Sequence, residues 1–510
     1  MNSRFLKLIS SRLILLVIAV VLQIVMLVSW IYRTSLSHNL SPIITLFSYA
    51  LVVRVVNTSE DPSYKLTWCV LILVWPILGM ILYVLCAGRK MPKKLADGTT
   101  RSSQYLYRLL RQDDTVMERL EKEEPDLCRT FRYGQRMSQF PVYGNTEAKY
   151  FGSGEELWPV LLQELRNARK FIFMEFFIID EGEVWNSVLE VLKQKVQEGV
   201  EVKLIYDDFG CAAKLPRGYD RKLNEMGIET YRFNKLRPAL IIQMNNRDHR
   251  KIVVIDNQVA FTGGVNLADE YMNRIERFGK WRDSAIMLKG DAVWSMTVMF
   301  LGMFSWLKGS NAEIDYTRYR LKGDDPGFCG FFQPFSDTPT DDADTGVSMH
   351  LNIISSAKNY VYLETPYLIP NNSVESALTL AAQNGVDVRI LVPHIPDKRY
   401  VFYITQSYYE PLIAAGVRIY EYTPGFNHCK NIVSDDRIAS VGTVNSDYRS
   451  YYLHFEDGVI FADNEEILRI REDFLRAVSV SQEITMEDCR KVPLYKRVSR
   501  RLLKIATPLL

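Results

Sequence analysis

The chain has 510 residues, enough for about two to four domains that each bury a core, and its formal net charge of +2 argues for no particular partner. Its seven cysteines (Cys69, Cys86, Cys128, Cys211, Cys329, Cys429 and Cys489) are scattered, with no C-x-x-C and no ligand-spaced His/Cys cluster. That excludes a zinc ribbon or a disulfide framework and reads as reduced thiols in a cytosolic setting.

The first 94 residues read as a membrane region. Leu13 to Trp30 is an almost unbroken apolar run interrupted at Gln23 and preceded by Arg4, Lys7 and Arg12. It is long for a signal peptide and no small-x-small cleavage site follows, so it predicts an anchoring span over about 13–31. A second run of spanning length covers 67–87, where Pro76 and Gly79 are tolerable if neighbours satisfy the freed backbone. Between them lies a shorter apolar run, 42–56, with Arg54 near its end. Arg89, Lys90, Lys93 and Lys94 follow the last run, so the positive-inside rule puts both ends in the cytoplasm. This favours an even number of spans and leaves 42–56 re-entrant, interfacial or packed on the others. Residues 95–139 are polar, with a charge-rich stretch from Met117 to Asp126, and read as a linker or solvated helix.

From Phe140 the chain repeats itself. ARKFIFMEFFII from Ala168 matches AKNYVYLETPYL from Ala357, GVEVKLI from Gly199 matches GVDVRIL from Gly385, and GIETYRF from Gly227 matches GVRIYEY from Gly416. A helical segment separates the first two blocks in each half, so each half reads strand, helix, strand, helix, strand, then a strand pair. Asp324, Asp325, Pro326 and Gly327 mark a turn-rich join, giving an α/β fold of two related domains over 140–330 and 331–488. Ser336 to Gly346 reads as a surface loop, its acids lacking the spacing of a calcium loop.

Each half then delivers one motif. His249, Lys251 and Asp256 stand as H-x-K-x4-D, followed by Gly263, Gly264 and Asn266; His428, Lys430 and Asp435 repeat it, followed by Gly442, Thr443 and Asn445. On a strand, His and Lys two apart point to one face, so each pair aims into a common site. Asp256 and Asp435 belong to the candidate catalytic motif, yet five residues past Lys they fall on the opposite face and are expected to hold the fold around it. WRDSAIML from Trp281 and FEDGVIFA from Phe455 place Asp283 and Glu456 in equivalent positions. Cys429, between His428 and Lys430, reads as a small filler. His38, His350, His394 and His454 show no such pairing and read as structural or solvent-facing, His454 being the nearest to the motif apparatus.

The paired motifs resemble the phospholipase D superfamily, and ETPYLIP, GVDVRILVP, GVRIYEY and the closing ATPLL are similar to bacterial cardiolipin synthases of that type. The resemblance runs from about Phe140 to the C-terminus. It implies two phospholipase D-like domains, each a mixed sheet flanked by helices, packed in pseudo-twofold arrangement with the motifs facing one another. It implies His249 as nucleophile and His428 as general acid and then base, an assignment that the sequence symmetry itself leaves open. It further implies that Lys251, Lys430, Asn266 and Asn445 clamp the phosphate, that Asp283 and Glu456 orient the histidines, and that no metal or cofactor takes part. The implied reaction joins two phosphatidylglycerols into cardiolipin and glycerol through a phosphatidyl-histidine. Water or another alcohol as acceptor would use the same residues, and a non-catalytic lipid-binding scaffold would show the same repeat.

The implied place is the bacterial inner membrane, multi-pass, with the catalytic domains on the cytoplasmic side. No basic stripe interleaved with aromatics speaks for nucleic acid, and no G-x4-G-K-[ST] loop for a nucleotide. From 489 to 510 seven cations occur without an acid after Asp488. Leu494, Val498, Leu502, Ile505 and Leu509 fall along one side at helical spacing, which predicts a basic amphipathic helix for anionic lipid.

Overall fold

The computed structural model describes residues 18–28, 35–87, 107–235, 246–309, 315–323, 325–340 and 343–507. The ends of the first apolar run, the basic flanks on both sides of the membrane region and the first part of the linker lie outside them.

Two mixed sheets carry the repeat. The first holds β1 (Thr146–Phe151), β2 (Phe171–Phe176), β3 (Glu201–Asp207), β4 (Glu229–Phe233), β5 (Ile252–Ile255), β6 (Val259–Gly263) and β8 (Ala285–Gly290), in the order β1-β8-β6-β5-β2-β3-β4. The second holds β9 (Phe331–Asp337), β10 (Tyr360–Glu364), β11 (Asp387–Pro393), β12 (Arg418–Tyr422), β14 (Asn431–Ser434), β15 (Ile438–Gly442), β16 (Glu456–Ala462) and β17 (Gln482–Ile484). Its order, β17-β12-β11-β10-β14-β15-β16-β9, is the same arrangement read from the other end with β17 added. In each sheet three strands, β2-β3-β4 or β10-β11-β12, run parallel through helical crossovers. The hydrophobic run of those strands suits a sheet covered on both faces.

The halves share a core. One apolar cluster joins Phe171, Phe173 and Ile286 of the first sheet to Tyr362, Val433, Val459 and Phe461 of the second. Helix Val293–Lys308 crosses it, every side chain from Val293 to Ser305 being buried, as an all-round apolar helix inside a protein should be. A two-stranded parallel ladder, β7 (Lys280–Arg282) with β13 (Gly425–Asn427), stitches the halves together.

The motif aspartates fix the turns. Asp256 and Asn257 (φ 53° and 55°) make the tight turn between β5 and β6, and Asp435 and Asp436 (φ 56° and 58°) the one between β14 and β15. Asp and Asn tolerate this left-handed region, and paired positive φ suits the twist of a hairpin. Each carboxylate then accepts three amides from the start of the neighbouring strand: Arg169, Lys170 and Phe171 at 2.7–2.8 Å for Asp256, and Lys358, Asn359 and Tyr360 at 2.6–2.9 Å for Asp435.

Three sequence expectations need correction. The run 67–87 is not one helix but two, Pro62–Val74 and Pro76–Cys86, broken at Trp75 (φ −125°, ψ 75°). Pro76 has no N–H to donate and disfavours helical backbone at the residue before it. Among the described residues no helix is long and apolar enough to cross a membrane; the run 42–56 lies within the 22-residue helix Ser35–Val56, which packs on the other two.

The linker is not a solvated spacer. Helices Asp114–Glu123 and Pro125–Ser138 bury Met117, Leu120, Leu127, Cys128 and Phe131 in the core of the second half. Their charges occupy the outer face, which is why the stretch reads as polar overall. The C-terminal cations do not all look outward either: in helix Leu494–Ala506, Arg497 lies 3.6 Å from Glu410, Lys504 lies 3.8 Å from Glu375, and Arg500 donates to Gln406.

Replacing Asp256 by Ala removes a charged acceptor from three amides at the start of β2. The expected loss is about 3 kcal/mol of unfolding free energy, read as a lowered denaturation midpoint of the detergent-solubilised protein.

Candidate active site

The two H-x-K segments are extended but belong to neither sheet, which corrects their expected place on strands. Their amides pair across the halves instead. His249 N–H donates to the Phe455 carbonyl at 2.9 Å, and His428 N–H to the Arg282 carbonyl at 2.7 Å. Extended backbone keeps the two-residue spacing on one side, and Lys251 Nζ reaches the His249 carbonyl oxygen at 2.6 Å, as Lys430 Nζ reaches that of His428.

Each histidine is held by a carboxylate of the opposite half. His249 Nδ1 lies 2.9 Å from Glu456 Oε2, and His428 Nδ1 lies 2.6 Å from Asp283 Oδ2. A buried carboxylate at Nδ1 favours a proton there and a lone pair on Nε2; at His428 the Lys430 Nζ also stands 2.8 Å from Nδ1. The residues after each motif adapt to the length of the orienting side chain. At Gly264 a Cβ would fall 1.9 Å from Asp283 Oδ1, so the short aspartate needs a glycine beside it. The equivalent Thr443 instead donates its hydroxyl to Glu456 Oε2 at 2.5 Å, and Ser450 donates to Oε1 at 2.7 Å.

A guanidinium stands behind each half-site, and the two come from different places. Arg250, inside the first motif, lies 2.5 Å from Glu175 and 3.2 Å from Asp248. At the matching position of the second motif is Cys429. The space is filled by Arg282 from the first half, which pairs with Glu364 and Asp473 and lies 2.8 Å from Asn427 Oδ1 and 3.1 Å from Cys429 Sγ. Glu364 is the repeat partner of Glu175, so both halves keep the same ion pair. Cys429 is small because a guanidinium arrives from elsewhere.

His249, His428, Asn266 and Asn445 line one cavity of about 350 Å³. Its walls are apolar at Phe177, Phe209, Trp281 and Phe426, and cationic at Arg247, Arg277, Lys398 and Arg449. Asn266 accepts the Ile178 amide at 3.0 Å and donates to Tyr271 Oη at 2.7 Å. Asp256 and Asp435 are not brought to the cavity, their carboxylates being consumed in the turns described above, and Lys251 and Lys430 stand behind the histidines rather than among the lining residues. Two lining residues were missed by the motif search. Arg449, four residues past Asn445, has its buried Nε without a hydrogen-bond partner among the described residues. His454 lies 3.3 Å from Glu456 Oε1, its ring 5.4 Å from that of His249. Proximity to the motif tail is the only signal the sequence offers for either. His350 and His394 are engaged away from the cavity, with Tyr451 and Glu421.

Burial dominates the electrostatics. It pushes His428 down to about 4, helped by Lys430 and opposed by Asp283, and with Lys251 and Lys430 it pushes His249 well below its usual range. Burial and the neighbouring Lys430 lower Lys251 to about 8. Burial alone would raise Asp283, but Lys430 and His428 outweigh it and hold the carboxyl below its ordinary value. The site is therefore a pair of neutral imidazoles beside two buried lysines, which suits an anionic phosphodiester.

The family described as cardiolipin synthase, PLD-like domain, matches residues 161–280 and 351–478, and a phospholipase D-nuclease N-terminal family matches 42–87. An uncharacterized protein of Streptococcus mutans is 38% identical over 460 residues, covering 90% of this chain and 99% of that protein. Cardiolipin synthase 2 of Bacillus anthracis is 32% identical over 453 residues, covering 89% of this chain and 88% of the other. Among solved structures, the phosphatidylserine synthase of Haemophilus influenzae superposes with a TM-score of 0.56 at 16% identity, over 75% of this chain and 98% of that one.

Arg282→Ala would strand the Glu364 and Asp473 carboxylates between the halves. Breaking a buried pair from one side costs about 3–5 kcal/mol, so a matching drop in unfolding free energy is expected from denaturant titration.

Proposed function

The chain belongs to the phospholipase D-like cardiolipin synthase family and is a phosphatidyltransferase; we propose that it joins two phosphatidylglycerols into cardiolipin and glycerol through a phosphatidyl-His249 intermediate. The observation that carries this reading is the pair of imidazoles fronting one cavity, each with Nδ1 held by a carboxylate of the other half, so that two Nε2 atoms are free for chemistry.

In the first step His249 Nε2 attacks the phosphorus of a bound phosphatidylglycerol. The phosphorus–oxygen bond to the headgroup glycerol breaks, and the glycerol oxygen leaves with the electron pair and takes the proton of His428 Nε2. In the second step the glycerol hydroxyl of another phosphatidylglycerol gives its proton to His428 and its oxygen attacks the same phosphorus. The nitrogen–phosphorus bond breaks, its electrons return to His249, and cardiolipin is released with His428 protonated as at the start. Lys251 and Lys430, with the amides of Asn266 and Asn445, hold the non-bridging oxygens and offset the charge that builds on them.

His428 must carry a proton when the headgroup leaves, although the empty site keeps it neutral near pH 7. The arriving phosphodiester supplies the remedy. Its negative charge compensates Lys251 and Lys430, whose repulsion helps to hold the imidazole down, so proton uptake accompanies binding. One phosphodiester is exchanged for another, so the overall reaction needs no energy source beyond its substrates.

With phosphatidylglycerol as the sole lipid in mixed micelles, lipid mass spectrometry is expected to find cardiolipin and glycerol in equal amounts. His249→Ala and His428→Ala should each lower the rate at least about a thousandfold; phosphatidic acid as main product would make water the acceptor, and substantial activity in either variant would refute the two-histidine scheme. Because kcat/KM follows the free protein, the proton that His428 must take up already makes it fall above about pH 4, and the lowered Lys251, whose ammonium form is depleted above about pH 8, is expected to steepen that fall as pH rises through about 8.

A further inference from the structure

The helices before and after the catalytic halves meet on one side of the molecule. Pro62–Val74 and Pro76–Cys86 fold back on each other: Tyr64 Oη donates to the Ala87 carbonyl at 2.8 Å, the Trp68 and Tyr83 rings meet edge-on at 5.3 Å, and a Cβ on Gly79 would fall 2.3 Å from the Leu71 carbonyl oxygen. The first arm lies against the rest of the chain, and the Tyr64–Ala87 contact brings the end of the second arm back to the start of the first. Tyr448 Oη donates to Asp61 at 2.9 Å, and Thr67 Oγ1 to the Ile505 carbonyl at 2.6 Å. The tip at Trp75 and Pro76 points away. At about 1.5 Å per residue the 13- and 11-residue arms reach roughly 20 and 16 Å, which is about half to two-thirds of a hydrocarbon core of roughly 30 Å.

The surface chemistry fits lipid. Leu66 (63% exposed), Val74 (59%) and Val84 (77%) project from the arms. At the tip, the Ile77 and Leu78 amides begin a helix after a break and have no partner within it; Gln23 Oε1 accepts both, at 3.1 and 3.4 Å. Gln23 is the one strongly polar side chain in helix 18–28. Water would satisfy such amides unaided, whereas in hydrocarbon each must find a protein partner. Helix Leu494–Ala506 extends the same surface. Arg497 and Lys504 face Glu410 and Glu375 of the catalytic body, while Leu494, Val498, Leu502 and Ile505 are exposed. That is the reverse of a helix meant for water. The apolar surface ends at the cavity mouth, where Thr507 and Tyr448 stand.

We propose that Pro62–Cys86 is a re-entrant hairpin, entering and leaving the bilayer on the side of the catalytic body with its tip closed by Gln23, and that Leu494–Ala506 lies apolar face down on the same leaflet. Anchorage of this kind is independent of which alcohol accepts the phosphatidyl group. It sets the cavity mouth at the headgroup plane, where lipid passes from the leaflet to the site without crossing water.

The test uses the full chain with Cys69, Cys86, Cys329 and Cys489 replaced by Ser, reconstituted in sealed phosphatidylglycerol/phosphatidylethanolamine vesicles with the catalytic body outside. Ser59→Cys and Ala87→Cys are both expected to react with a membrane-impermeant maleimide added outside. A nitroxide on Trp75→Cys should be reached by oxygen and shielded from a water-soluble relaxant on both sides. Labelling of the Trp75→Cys or Ala87→Cys protein only from the vesicle interior would make this segment spanning and overturn the proposal. Reaction of Trp75→Cys with the external reagent would mean that the hairpin does not insert, and a crosslink between two tips in that case would make a second copy its cover. Gln23→Leu, distant from the catalytic cavity, is expected to abolish the shielding at position 75 while leaving Ser59→Cys reactive; unchanged shielding would remove Gln23 from the tip.

Discussion

Everything in this molecule depends on two crossed contacts, His249 with Glu456 and His428 with Asp283. Neither motif histidine takes the carboxylate at its Nδ1 from its own half. A single domain would present its motif imidazole without the carboxylate that holds Nδ1. The crossing makes the interface obligatory, and the fold answers with a continuous core between the sheets and a ladder of β7 and β13 next to the site. Position follows from the same logic: the backbone amide of each histidine is tied to the strand that carries its orienting carboxylate, so side chain and partner move as one piece.

The duplicated ion pair shows how far two copies can drift while keeping their physics. Glu175 and Glu364 are buried carboxylates at the same place in the repeat, and neither can remain there charged without a cation. One half supplies the cation locally from Arg250. The other imports Arg282 across the interface and keeps Cys429 small to admit it. The imported arginine also lies directly before Asp283, so the residue that balances Glu364 closes β7 and the residue that orients His428 follows it. Removing either disturbs the other, which concentrates the coupling between the halves at residues 282 and 283.

Much of this was legible in the sequence. The three matched blocks and the doubled motif specify two similar α/β units, and the left-handed turns at Asp256 and Asp435 explain why the motif ends in Asp at all. The equivalence of WRDSAIML with FEDGVIFA also brought Asp283 and Glu456 forward. That the pairs cross between halves was not legible, since it depends on how the two units pack and not on any spacing within one. The linker misled because helices Asp114–Glu123 and Pro125–Ser138 carry their apolar residues as a narrow stripe among many charges. The run 67–87 misled in the opposite sense: its composition is that of a span, and only the geometry forced by Pro76 folds it in two. Arg449 and His454 carry no motif and gain meaning only from facing the cavity.

Electrostatics ties the site to its substrate. Two ammonium groups buried beside two imidazoles repel protons from the rings, so the site without lipid holds its histidines neutral. In the proposed reaction neutrality suits His249, which needs a lone pair, and is wrong for His428, which needs a proton for the leaving alkoxide. A permanently protonated His428 would add a third positive charge to the same buried space and oppose the lysines. The conflict is resolved when a phosphodiester anion enters, because the charge that the lysines attract is the charge that lets His428 take its proton. Binding and activation then become one event: an uncharged molecule of the same shape would neither balance Lys251 and Lys430 nor arm the acid. In that scheme discrimination for an anionic lipid follows from the protonation of the histidine pair itself, and the apolar walls at Phe177, Phe209 and Trp281 strengthen it by keeping the local dielectric low.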